Sequence, residues 1–395
     1  MTQTFKILVT GGGSSGHISP ALAILQTLNE MASQPDCAWK PEYLYLGGKR
    51  GLEQTQAEAA GIRFVGVETG KLRRYLSREN FTDALRIPIG VWQSRREVKR
   101  FAPDVVLATG GYVAVPPVIA AWTQRVPILI HEQTVQIGLA NRINARFATK
   151  IALSFDEALD ELSPQYRSKA FVAGNPVRPQ IFGGDAARAK VFAGFSDEDD
   201  RLPTIYITGG SQGARVINRA VERVLDGLLE HCKIVHQCGV QPQKSEQDFD
   251  CLEAAAAKLP PILRRRYFVQ RFIRDEINDV FALCDLVVSR AGASTINEVC
   301  ALGKAALYIP LVPTGGDEQT RNAALCERAG AAISMTQSVL LEENGALLLR
   351  DRVLDLLKNR EKLREMATAA ITLAKPNAAR VMAQTVVELG LKKQK

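Results

Sequence analysis

Ile7-Leu8-Val9-Thr10-Gly11-Gly12-Gly13-Ser14-Ser15-Gly16-His17 and, in the second half of the chain, Ile205-Tyr206-Ile207-Thr208-Gly209-Gly210-Ser211-Gln212-Gly213 read alike. In each, a β-branched run stops at a Gly/Ser cluster and gives way to apolar residues at helical spacing, as a parallel strand does on entering its crossover helix. The alternation continues outward from both turns. Strand candidates fall at 5–10, 43–46, 104–108, 127–131, 151–154 and 171–173, then at 204–208, 233–237, 267–270, 285–288 and 305–309. Strands separated by helices predict parallel sheets covered on both faces, so the expected class is α/β with two doubly wound, Rossmann-like domains in tandem. The change of domain is expected near Gly174-Asn175-Pro176 or in the loop Asp197-Glu198-Asp199-Asp200. Such domains take their ligands in the cleft at the carboxyl ends of the strands.

The 395 residues carry 50 Lys plus Arg and 42 Asp plus Glu, a net +8, with 46% hydrophobic residues. That balance excludes disordered, collagen-like and disulfide-scaffold classes. Seven cysteines without a CxxC pair encode neither a zinc site nor a disulfide framework and point to a reducing compartment. No window approaches the roughly 18 apolar residues of a membrane span, and Ile7-Leu8-Val9 is too short for a signal segment, so a cytoplasmic protein is expected. The charge is uneven: residues 71–100 hold nine basic and three acidic side chains, interleaved with Tyr75, Leu76, Phe81, Ile89 and Trp92. Interleaved basic and bulky apolar groups suit an anionic membrane surface, and no nucleic-acid recognition motif accompanies them.

Gly11, Gly13 and Gly16 satisfy G-x-G-x-x-G before a helix in which Ser19 is the expected N-cap and Pro20 the first residue. A nicotinamide enzyme would carry a ribose-binding carboxylate at the end of the second strand, where this chain reads Tyr45-Leu46-Gly47-Gly48-Lys49-Arg50. His17, directly after the loop, is a candidate general base for a sugar hydroxyl. Residues 208–213 form a second candidate phosphate cradle, with Ser211 among its donors. Glu298 can accept from both hydroxyls of a ribose, or it completes a capping box with Thr295. Glu318, Gln319 and Asn322 gather amide and carboxylate groups suited to sugar hydroxyls around a helix start. Asp197-Glu198-Asp199 stands in a charged loop, and no metal site is encoded. A Walker A motif is absent from the sequence.

With Gly70-Lys71-Leu72-Arg73-Arg74, Thr109-Gly110-Gly111-Tyr112-Val113, His131-Glu132-Gln133, Gly138-Leu139-Ala140-Asn141, Gly174-Asn175-Pro176-Val177-Arg178, Arg290-Ala291-Gly292-Ala293 and Asp317 to Asn322, these blocks closely resemble the MurG family over nearly the whole chain. The family transfers N-acetylglucosamine (GlcNAc) from UDP-GlcNAc to the lipid-linked muramoyl-pentapeptide lipid I, giving lipid II. The resemblance implies a GT-B fold: residues 1–170 facing acceptor and membrane, 171–365 binding UDP-GlcNAc, and 366–395 returning to the first domain. It implies His17 as the base of an inverting displacement. Ser14, Ser15, Gly16, Thr134, Arg178, Ser211, Gln212, Ile273, Ala293, Ser294, Glu298, Glu318, Gln319 and Asn322 would serve the donor. Among these, Ile273 would offer backbone groups to uracil, Ser211 would touch the diphosphate, Glu298 the ribose and Gln319 the GlcNAc hydroxyls. Tyr112, Lys71, Arg73, Arg74 and Trp92 would face acceptor or membrane. Thr134 and Glu318 depart from the family's usual residues, which bears on sugar selectivity. No cofactor or metal is implied. The implied partners are UDP-GlcNAc, lipid I, the anionic inner-membrane surface and other cell-wall synthesis proteins, at the cytoplasmic face. Another GT-B glycosyltransferase with a lipid acceptor, or a UDP-GlcNAc epimerase of the same architecture, would share much of this pattern.

Overall fold

A computed structural model describes residues 3–13, 15–49, 51–70, 78–240, 247–312 and 317–393, without the side chains of 15, 52, 78–85 and 392–393. The chain forms two compact units, residues 1–178 with 375–395 and residues 179–374.

The first unit holds β1 (Gln3–Thr10), β2 (Trp39–Gly48), β3 (Arg63–Val67), β4 (Val105–Ala108), β5 (Ile128–Glu132), β6 (Lys150–Leu153) and β7 (Ala170–Val172). They pair in parallel in the order β3-β2-β1-β4-β5-β6-β7. β4 and β5 are buried throughout, because helices cover both faces. On one face Ile24, Leu28, Met382, Ala383 and Val386, from helices Ser15–Ala32 and Ala378–Lys393, pack on Phe5, Ile7, Val105 and Leu107. On the other, Val98, Phe101 and Val118 pack on Leu8, Val106 and Ile130.

The second unit repeats the plan with β8 (Thr204–Thr208), β9 (Lys233–Gln237), β10 (Tyr267–Gln270), β11 (Leu286–Ser289), β12 (Ala305–Tyr308) and β13 (Ala332–Ser334), all parallel, in the order β10-β9-β8-β11-β12-β13. In both sheets the strand order reverses at the first strand, between β1 and β4 and between β8 and β11. A crevice for a ligand opens at the carboxyl ends of such a switch point.

Four expectations change. The edge strands β3 and β13 were not expected. The first helix opens at Ser15 instead of behind Ser19, with Pro20 inside it, so the Gly16 carbonyl lacks its helical donor. The chain leaves the first unit after Arg178, beside the expected change at Gly174-Asn175-Pro176 and not at 170, since the N–H groups of Ala173 and Gly174 both donate to Leu153 O. It returns after Ala374, not after 365, because Leu363 and Met366 of helix Arg360–Leu373 belong to the second core.

Candidate active site

In the first unit the ends of β1, β4 and β5 lie side by side and carry Gly11 to His17, Thr109-Gly110-Gly111-Tyr112 and His131-Glu132-Gln133. A Cβ on Gly111, whose φ is 77°, would stand 2.0 Å from Gly12 O and 3.1 Å from His17 Cδ2, so only glycine lets these loops touch. His17 Nδ1 lies 3.1 Å from Thr109 O and 3.1 Å from Gln133 Oε1. A carbonyl oxygen can only accept, so in the neutral ring Nδ1 carries the proton and Nε2 keeps its lone pair. Among the described residues nothing bonds Nε2. Gln133 Nε2 donates to Thr109 O and lies 3.3 Å from His131 Nδ1. His131 Nε2 lies 3.2 Å from Gly174 O and 3.1 Å from Ser154 Oγ, and burial pushes this imidazole down to about 3.

Two buried carboxylates hold the loops. Glu132 accepts from Gly138 N–H at 2.9 Å, Asn141 Nδ2 at 3.0 Å and the Thr134 hydroxyl at 3.0 Å. Glu53 accepts from Gly48 N–H at 2.8 Å and Gly13 N–H at 3.4 Å. A dinucleotide diphosphate laid on the first glycine loop would meet that carboxylate, which is the physical objection to a nicotinamide site there. Tyr112 packs on the loop so closely that a Cβ on Gly13 would come 2.8 Å from its ring.

In the second unit, Ser211 and Gln212 are exposed on the loop after β8. The loop sits hard against the next one, since a Cβ on Gly213 (φ 74°) would fall 1.9 Å from Cys238 O. Gln237, at the end of β9, donates to Thr208 Oγ1 at 3.1 Å and accepts from Ile273 N–H at 2.9 Å. That corrects the expectation for Ile273: its N–H is already used, and only its carbonyl is left for a base edge. Helix Ala293–Ala301 opens at Ala293 behind Gly292, so Thr295 lies inside it and forms no capping box with Glu298, which is half-buried one turn on. Ala293 is buried, and the buried Ser294 hydroxyl has no partner among the described residues. Asn322 is buried as well: its Nδ2 donates to Ala291 O at 3.2 Å, and its Oδ1 has no partner among the described residues. Gln319 Oε1 accepts from Leu311 N–H at 2.9 Å, so its amide NH2 is the end left for a ligand. Glu318 opens helix Glu318–Arg328 behind Asp317.

The first unit thus brings His17, Gly16 and Tyr112 together, and the second assembles Ser211, Gln212, Ile273, Ala293, Ser294, Glu298, Glu318, Gln319 and Asn322 on the carboxyl ends of its strands. Thr134 gives its hydroxyl proton to Glu132 and to Gln136 O at 2.7 Å, so towards a sugar it can only accept. Arg178 is exposed at the end of the first unit. Ser14, the Ser15 side chain, Lys71, Arg73 and Arg74 lie outside the described residues. Sequence reasoning missed Glu53, Gln237 and the role of Arg290. Arg290 is buried, drawn down to about 10 by burial, and donates to Ile309 O at 2.9 Å and Pro310 O at 3.1 Å, which ties the ends of β11 and β12 together. A charged or amide residue just past a strand end was the available signal.

Away from these loops, helix Arg78–Phe101 presents Ile89 and Trp92, the latter 65% exposed, with Arg96 at the helical spacing that keeps the three on one face. Trp122, packed on Phe147, is also exposed, as are Arg95 and Arg125. Among the described residues no three His, Cys, Asp or Glu gather as metal ligands, and no helix is long and apolar enough to cross a membrane.

The chain matches the glycosyltransferase family 28 N-terminal domain over residues 7–153 and the glycosyltransferase family 28 C-terminal domain over 204–384. It is 37% identical to a UDP-N-acetylglucosamine--N-acetylmuramyl-(pentapeptide) pyrophosphoryl-undecaprenol N-acetylglucosamine transferase of Bacillus anthracis, covering 97% of this chain and 98% of that one. It is 34% identical to the enzyme of the same name in Clostridium perfringens, covering 91% and 92%. The crystal structure of Acinetobacter baumannii MurG superposes with a TM-score of 0.71 at 26% identity over 97% of this chain and 99% of that one. A UDP-GlcNAc 2-epimerase from Neisseria meningitidis, at 15% identity and a TM-score of 0.64, shares the fold.

Proposed function

The chain belongs to the MurG family within glycosyltransferase family 28, and on that premise we propose how its two units divide the transfer of GlcNAc from UDP-GlcNAc to the C4 hydroxyl of lipid I. The first unit supplies the base. His17 Nε2 takes the proton of the acceptor hydroxyl as its oxygen attacks C1 of GlcNAc. The C1–O bond to the diphosphate breaks, and UDP leaves with the electron pair from the opposite side, inverting the centre. The second unit holds the donor. The Ile273 carbonyl accepts from uracil, Glu298 accepts from the ribose hydroxyls, and the Ser211 loop meets the diphosphate with hydroxyl and amides ahead of helix Arg215–Arg223, where negative charge is favoured. Gln319 donates its NH2 to the sugar.

The observation that carries this is the His17 contact with Thr109 O, which leaves Nε2, unbonded among the described residues, at a switch point. Mixing UDP-GlcNAc with a lipid I analogue is expected to give UDP and a β-linked disaccharide; an α-linked product would rule out the single displacement.

The exposed Trp92 and Ile89, beside Arg95 and Arg96 and following the basic run at 71–74, support a peripheral seat on an anionic membrane. Binding to anionic liposomes is expected to weaken with salt. Since each basic side chain near such a surface contributes about 1 kcal/mol, neutralising Arg73, Arg74, Arg95 and Arg96 is expected to lower partitioning by about a thousandfold. Equal sedimentation with liposomes before and after the change would remove the patch.

A further inference from the structure

We propose that Gln133 is the orienting partner of His17, a neutral amide in the place where many catalytic histidines have a carboxylate, and that His131 decides which end of that amide faces the base. The inference rests on His17 being the base.

The assignment begins at Gly174 O, which can only accept. It therefore takes the His131 Nε2 proton across 3.2 Å, as the Ser154 hydroxyl gives its own proton to Glu132 O at 2.8 Å and turns a lone pair towards the same nitrogen. His131 Nδ1 is then a bare acceptor, and the group facing it at 3.3 Å must be the Gln133 NH2. That NH2 also donates to Thr109 O. With its nitrogen fixed by two acceptors, Gln133 turns Oε1 to His17 Nδ1 at 3.1 Å. The same Nδ1–H thus has two acceptors, Thr109 O and Gln133 Oε1, and a carbonyl polarised by its own donating NH2 accepts more strongly. Both become more valuable when His17 gains a proton, because hydrogen bonds from a charged donor are about twice as strong as neutral ones. Gln133 is therefore a positioning residue that fixes the ring and favours the imidazolium formed in the transition state, without a buried charge of its own.

The titratable groups packed around this chain are His131, Glu132 with its carboxylate bonded to Gly138, Asn141 and Thr134, Glu53 beneath Gly12 and Gly13, and the tyrosines 45 and 112. Within this frame Gln133→Leu is expected to lower kcat about tenfold, the loss of one hydrogen bond to a forming charge, with UDP-GlcNAc affinity held and the melting temperature lowered, because Thr109 O and His131 Nδ1 lose their buried donor. Gln133→Glu puts a carboxylate on Nδ1–H and is expected to move the acidic limb of kcat upward by about one pH unit. His131→Phe is expected to reproduce the Gln133→Leu defect, and the double variant to add nothing to it, since the two act in one chain.

An unchanged kcat in Gln133→Leu, or a loss shared equally by donor binding, would overturn the role, as would an unmoved acidic limb in a folded Gln133→Glu. His17→Ala, run in parallel, separates the two layers. A slow His17→Ala with a fast Gln133→Leu removes only the orienting role; a fast His17→Ala removes the base itself.

Discussion

His17→Ala lowers kcat by about a hundred- to ten-thousandfold, the usual contribution of a positioned general base, while UDP-GlcNAc affinity stays within about twofold. The split follows from where the residues stand. His17 belongs to the first unit, and every residue assigned to nucleotide, ribose and sugar except Ser14, Ser15, Gly16, Thr134 and Arg178 belongs to the second. Thr109 O can only accept, so the ring turns Nε2 to the acceptor side as the atom proposed to take the proton, and alanine removes it. The ring also fills the space beside Gly110 and Gly111, so His17→Gln is the better control for packing. Single-turnover rates at saturating donor and acceptor, with donor affinity measured by calorimetry, make the comparison. An unchanged single-turnover rate would end the assignment of His17 as base.

Glu298→Ala weakens UDP-GlcNAc binding by about a hundredfold, because an ionised acceptor of two ribose hydroxyls contributes about 3 kcal/mol net. Glu298→Gln, which keeps one acceptor, costs about tenfold by the same estimate. The helix start makes this a clean experiment. Had Glu298 closed a capping box with Thr295, alanine would chiefly have lowered the melting temperature. Helix Ala293–Ala301 begins two residues before Thr295, so the carboxylate closes no capping box with Thr295. Unaltered donor affinity with a lowered melting temperature would reverse that conclusion.

The two Gly/Ser turns revealed the tandem sheets because a parallel strand buried on both faces has to be a short continuous apolar run, as Val105 to Ala108 and Ile205 to Ile207 are. β3 and β13 escaped for the opposite reason. Arg63-Phe64-Val65-Gly66-Val67 contains an arginine and a glycine, and Ala332-Ile333-Ser334 is three residues long; both lie at sheet edges where burial is partial and no long apolar run is needed. The candidate residues His17, Ser211, Glu298 and Gln319 stand out in the sequence because glycine loops and helix starts frame them. Glu53 was not, since its partners Gly48 and Gly13 come from two different strand ends. Gln237 and Ile273 share a bond across 36 positions of sequence, and no local pattern marks either as taken. Side chains that hold loops from a distance are set by the fold, and their duties become readable only once the strands are in register.

UDP release from UDP-GlcNAc, followed with and without a lipid I analogue, measures most directly whether the chain is an acceptor-dependent transferase with the base in one unit and the donor site in the other. The expected result is release that requires the acceptor and matches disaccharide formation mole for mole. Release at the same rate without acceptor, or conversion of UDP-GlcNAc to an isomeric sugar nucleotide, would contradict it.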